Sequence, residues 1–146
     1  MKIEYEDDKT IVYLYRYKLN LENIKELGKE IKNIFIKLIK CYRVDLRGYL
    51  KVSIFCHNNY GYILEVENID NDYDYETIEL KLIIYDNCDF YFRTNDYFLV
   101  NNFNKIYYSN SYFYVNVDEI SDILKYIEHG SIVHDFDTSS GKLIGK

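Results

Sequence analysis

Asp70, Asp72, Asp74 and Glu76 stand at alternate positions of one short stretch. Carboxylate oxygens so spaced are the hard donors a calcium ion takes. An EF-hand loop also needs glycine at its sixth position and glutamate at its twelfth. Counted from Asp70, those positions hold Tyr75 and Lys81, so the pattern fails. The segment 68–75 reads as an acidic, solvated loop that can meet a partner, and no metal or other cofactor is expected.

Nucleophilic and metal chemistry have equally thin support. The histidines are His57, His129 and His134. The last two flank Gly130, so they would not share a helical face as zinc-binding histidines do, although Asp135 and Asp137 lie close by. Cys56 and His57 are neighbours on an expected strand and point to opposite faces, so they cannot form a nucleophile–base pair. His57 could serve only Cys88 or a distant serine. Cys41, Cys56 and Cys88 are odd in number and have no C-x-x-C spacing. Cys41 and Cys56 read as core-facing thiols. Gly141-Lys142 lacks the first glycine, the following Ser/Thr and the helix of a phosphate loop. No catalytic residue is assigned.

Tyrosine is the residue in excess, at 18 of 146, with neither Pro nor Trp present. An A/T-rich genome would enrich Tyr, Asn, Ile and Lys without any functional demand. Placement allows two further readings, a half-covered sheet face whose hydroxyls meet water and a binding surface. Tyr13, Tyr15 and Tyr17 alternate along one expected strand, and Tyr112 and Tyr114, with Tyr107 or Tyr108, form a second row. Tyrosine brings large contact area with few rotatable bonds, which suits protein interfaces. Base stacking would need a basic groove. The net charge is −6, so direct nucleic-acid binding is disfavoured. Residues 1–51 carry 12 Lys/Arg against 8 Asp/Glu, and residues 52–146 carry 6 against 16. Such asymmetry steers partners.

The elements that must position these residues centre on one helix. Apolar residues at Leu21, Ile24, Leu27, Ile31, Ile34, Phe35, Leu38, Ile39 and Tyr42 recur at helical spacing. They predict an amphipathic helix over 21–42, capped by Asn20. Glu22 with Lys25 and Glu26 with Lys29 are spaced to pair along it. Gly28 marks a weak point or a close approach to a sheet, and Ile36 falls off the stripe, as plain surface or a second contact. Strands are expected at 2–6, 10–19, 49–57, 62–67, 78–84, 90–93, 105–108, 112–117 and 132–136, with Asn58-Asn59 turning the third into the fourth. Asp118 is expected to cap a second helix running to His129, with Gly130 as its stop. The segment 94–104 has no clear assignment.

The fold expected is therefore α+β: a single domain over 1–137 with a mostly antiparallel sheet, one long helix across one face, and a polar tail over 138–146. No run approaches the roughly 20 apolar residues of a membrane span. The start, MKIEYEDDK, does not read as a signal peptide, so a cytoplasmic setting is expected. The functional expectation is a non-enzymatic binding module, an adaptor or inhibitor, acting through a tyrosine-rich sheet face or the acidic loop. Its partner would be another protein or a second copy. An acidic mimic of nucleic acid is one version, and would need the acids of 65–79 to form one ridge. The alternatives are a small enzyme or ligand-binding domain with scattered site residues, marked by a pocket with His57 or a cysteine beside a carboxylate, and a self-assembling protomer.

Overall fold

The computed structural model describes residues 1–70 and 77–144. It is an α+β structure with ten strands in two mostly antiparallel five-stranded sheets and one long helix. Over the expected single domain, contacts group the chain into two compact units. Unit 1 is Met1–Cys56 with Gly61–Asp86, and unit 2 is His57–Tyr60 with Asn87–Lys146.

Unit 1 is built on α1 (Ile24–Tyr42) and five strands: β1 (Lys2–Glu6), β2 (Lys9–Tyr15), β3 (Gly48–His57, its last residue counted with unit 2), β4 (Gly61–Asp70) and β5 (Ile78–Tyr85). The helix starts three residues later than its apolar period suggested. Asn23, not Asn20, is the cap, and its side chain accepts from the N–H groups of Lys25 and Glu26. Asn20 instead accepts from Glu22 N–H in the turn before the helix. At the other end Arg43 takes φ 55° and donates its N–H to the Ile39 carbonyl, closing the helix without glycine. Leu27, Ile31, Ile34, Phe35 and Leu38 form the buried stripe, whereas the expected end members Ile24 and Tyr42 are about three-fifths exposed, at 60% and 59%. Cys41 is exposed as well, so of the two cysteines assigned to the core only Cys56 is there. Glu26 pairs with Lys29 at 3.6 Å; Glu22 precedes the helix. An added Cβ at Gly28 would meet nothing within 4 Å, so this glycine serves no close approach.

The α1 stripe shares one buried cluster with Val12, Leu14, Leu50, Val52, Ile54, Cys56, Leu64 and Val66. Those are the inward positions that strand alternation selects for β2, β3 and β4. Each fully buried aliphatic side chain there contributes about 1.5–3 kcal/mol. The strand order is β1-β2-β4-β3-β5. One pair departs from the antiparallel expectation: β3 and β5 run parallel, from Gly48 opposite Ile78 to Phe55 opposite Tyr85. The hairpin explains it. The turn at 58–60 is far too short for a parallel crossover, so β4 brings the chain back to where β3 begins. The chain then enters beside that end, with Gly48 N–H donating to the Thr77 carbonyl.

Unit 2 holds β6 (Tyr91–Thr94), β7 (Tyr107–Ser109), β8 (Tyr112–Asn116), β9 (Ser131–Val133) and β10 (Lys142–Leu143), in the order β10-β7-β8-β6-β9. All its pairings are antiparallel. Two expectations change here. The long helix from Asp118 to His129 is replaced by a 3-10 turn at Val117–Glu119 and a single-turn α3 (Leu124–Ile127). Asn116, not Asp118, caps that turn. The polar stretch after 137 is in part built into the sheet, since Lys142 and Leu143 pair with Tyr108 and Tyr107. The unassigned segment 94–104 contains α2 (Tyr97–Val100), capped by Asp96.

Candidate functional site

The first tyrosine row is not a flat platform. Tyr13 is buried and its hydroxyl donates to Glu4 Oε2 at 3.0 Å. Tyr15 is half-buried under the Arg16 guanidinium, 5.0 Å from its ring centre. Arg16 then takes φ 60° and ends the strand, so Tyr17 leaves the row and packs against the cluster around α1. Alternation on sequence could not show that turn.

The second row is largely covered by the chain itself. Tyr107 and Tyr114 are directly opposite in the β7–β8 ladder and share a face with Tyr91. Phe136 lies over them: it stacks on Tyr114 at 3.9 Å and 10°, and stands edgewise to Tyr91 at 5.1 Å. Tyr114 and Tyr91 are buried as a result. Tyr112, at the turn end of the β7–β8 hairpin opposite Ser109, is exposed with the Arg93 guanidinium 4.8 Å over its ring.

Of the acidic positions, Asp70 is an exposed residue ending β4, and Asp72, Asp74 and Glu76 lie outside the described residues. Glu65 and Glu67, part of the acidic ridge expected over 65–79, converge on Lys9 at 3.8 and 3.3 Å, and they hold its ammonium above the usual lysine range. Those two carboxylates share the single Lys9 ammonium within unit 1. The charge imbalance between sequence halves also redistributes. Unit 1 carries 13 Lys/Arg against 16 Asp/Glu and unit 2 carries 5 against 8, a net −3 in each.

His57, Cys88, Asp89 and Asp118 do come together, lining a polar cleft of about 330 Å³ in unit 2 with Asn58, Asn59 and Asn87. The imidazole is buried and stacks on Phe90 at 4.9 Å. Its Nδ1 accepts from the N–H groups of Asn59 and Tyr60, at 3.1 and 3.0 Å. Nδ1 is therefore unprotonated, and the neutral ring carries its proton on Nε2, which faces Asp118 Oδ1 at 3.4 Å. Burial pushes the His57 pKa below its ordinary value, against the opposing pull of Asp118 and Asp89. Asp118 Oδ1 also accepts from Asn59 Nδ2 at 2.7 Å. The turn thus engages Nδ1, while Nε2 faces the Asp118 carboxylate, with Cys88 lining the same cleft. The turn at 58–60 owes its shape to this ring: neither Asn58 nor Asn59 has a positive φ, and Gly61 takes φ +127° instead. The sequence pointed to the asparagines as the turn signal and missed the histidine as its clasp.

Among the described residues no three His, Cys, Asp or Glu side chains gather as metal ligands. His129 offers its carbonyl to Thr94 Oγ1, and Asp137 caps the 3-10 turn Thr138–Ser140, where the Ser139 N–H holds its carboxyl below the usual range.

A feature that sequence reading missed lies on the α2 side of unit 2. Phe98 is 83% exposed, the most of any large apolar side chain described. Its ring lies 6.4 Å from Tyr97, Tyr97 lies 5.3 Å from Phe113, and Phe113 lies 4.9 Å from Tyr108. Tyr108 and Phe113 are cross-strand partners and so share a face. The Asp96 cap, accepting from Phe98 N–H, fixes the turn that presents Tyr97 and Phe98. Asp96 followed by an apolar run was the available signal, weakened because the run covers only one helical turn.

No family model, curated protein or solved structure matches the chain at a significant level. Among the described residues no helix is long and apolar enough to cross a membrane.

Proposed function

We propose that this protein is a non-enzymatic protein-binding module whose docking surface is the aromatic patch Tyr97, Phe98, Tyr108 and Phe113. The exposure of Phe98 carries the reading. An exposed phenylalanine forgoes about 1.5–3 kcal/mol of burial, and Tyr97 beside it continues ring to ring through Phe113 to Tyr108. Aromatic anchors ringed by polar residues are what interface hot spots are made of. The covered face under Phe136 and the buried Tyr13 turn the expected tyrosine interface toward this other end of unit 2. The reading includes a cytoplasmic setting, supported by three cysteines with no disulfide among them.

The test compares wild type with Phe98→Ser and Phe113→Ser as bait in an extract of the source organism. Loss of one stoichiometric partner from both variants, with unchanged melting, supports the patch. A partner retained by both sinks it.

The His57 cleft favours a second reading, a site for a small polar ligand. Asp89, Asp118 and three asparagine amides line it, so it suits a ligand rich in hydrogen-bond donors. Nδ1 of His57 is held by the turn, which keeps the ring fixed at the edge of that site.

A further inference from the structure

The off-stripe residue of α1 leads to a second surface, in unit 1. Ile36 is 43% exposed. With Lys32, Ile39 and Lys40 it occupies one flank of the helix, at spacings of four, three and one. Arg47 and Ile78, the first residue of β5, line with them a groove of about 550 Å³. The aliphatic lining is Ile36, Ile39 and Ile78 and the cationic lining is Lys32, Lys40 and Arg47, with no carboxylate among the described lining residues. None of the three cations takes part in an ion pair among the described residues. From Lys32 to Lys40 the helix rises about 12 Å.

β5 adds a second observation. It is the last strand of its sheet, so one side of its backbone has no strand partner among the described residues. Its inward residues Ile78, Leu80, Leu82 and Ile84 pack on the core cluster and are only partly buried. An eight-residue edge with apolar flanks is a template for an added strand.

The chemistry selects among occupants. No aromatic residue lines the groove among the described residues, so those residues offer nucleic-acid bases no stacking platform. A fatty acid carries one anionic head and would leave the cation at the far end against its tail. An extended peptide advances about 3.4 Å per residue, so acids four residues apart span both ends with an apolar residue between them. We propose that the groove and the adjoining β5 edge dock an extended acidic segment of a partner protein, of pattern acid-x-apolar-x-acid. The main-chain edge supplies hydrogen bonds and the cationic lining sets the charge preference.

Binding of a fluorescein-labelled peptide Gly-Ser-Glu-Ser-Ile-Ser-Glu-Ser-Gly to the full chain, read by anisotropy and by methyl NMR, tests this. The expected result is saturable binding that weakens with salt and shifts the methyl signals of Ile36, Ile39 and Ile78. The double variant Lys32→Glu/Lys40→Glu should weaken it about tenfold or more. Both side chains reach solvent, and the variant's melting curve verifies its fold. Phe98→Ser should leave peptide binding unchanged, which separates this site from the aromatic patch. The proposal is overturned if the peptide binds no better than versions with Lys for Glu or Ser for Ile. It is also overturned if charge reversal has no effect, or if phosphatidylserine vesicles, not the peptide, move the Ile36 signal.

Discussion

His57 and Asp118, 61 positions apart in the chain, meet with Nε2 and Oδ1 at 3.4 Å. The contact is held from the other side of the ring, where Nδ1 receives two backbone N–H groups. Protonating His57 would place a hydrogen on Nδ1 and break both.

A pH dependence of stability follows. Burial lowers the folded-state pKa of His57 beneath its ordinary 6.5. The unfolded chain therefore binds a proton that the folded chain refuses. The stabilisation is fully present above pH 6.5, falls as pH drops through that value, and levels off below the folded pKa. Urea denaturation at a series of pH values should show this slope. His57→Asn keeps an acceptor for the turn and should flatten it. An equal slope in the variant would assign the effect to other groups.

Gly61→Ala should be strongly destabilising. Gly61 lies opposite Tyr15 at φ +127°, and a Cβ there would run into the Leu14 carbonyl oxygen. Positive φ and a backbone clash together should cost about 2–4 kcal/mol, read as a fall in the denaturation midpoint.

The two α1 readings separate by substitution. Gly28→Ala should stabilise by about 0.5–1 kcal/mol, since open space surrounds it. Asn23→Ala should cost about 1 kcal/mol and Asn20→Ala less. Equal costs at Asn20 and Asn23 would return the cap to the earlier position.

Phe136→Ser should uncover the second tyrosine row. The Phe136 ring sits within 6 Å of Tyr91, Tyr107 and Tyr114. Loss of that box should cost about 2–4 kcal/mol and raise the exposure of Tyr114 to quenchers. Unchanged quenching would mean that Phe136 does not cover the row.

What the sequence revealed and concealed has a physical pattern. Period alone placed the α1 stripe and the inward residues of β2, β3 and β4, because burial on one face is written into every second or every third-to-fourth residue. Turn geometry was less legible. Arg16, Arg43 and Asn87 adopt positive φ without glycine, and the β3–β4 turn is clasped by a histidine. Single-turn helices such as α2 and α3 are too short to show a period, so Tyr97 and Phe98 were hidden. The meeting of His57 with Asp118, and of Phe136 with Tyr114, depends on chain return over long separations that no local spacing encodes.

The most direct test of the binding role is photocrosslinking in the producing cell, with p-benzoyl-phenylalanine in place of Phe98 and, as control, in place of Tyr5, which is also exposed, at 68%. One discrete adduct is expected from position 98 and none from position 5. A shift of one further 17.7 kDa chain would identify the partner as a second copy, and any other single mass a different protein. Position 98 yielding no adduct, or the same diffuse products as position 5, would contradict the aromatic patch as a docking surface.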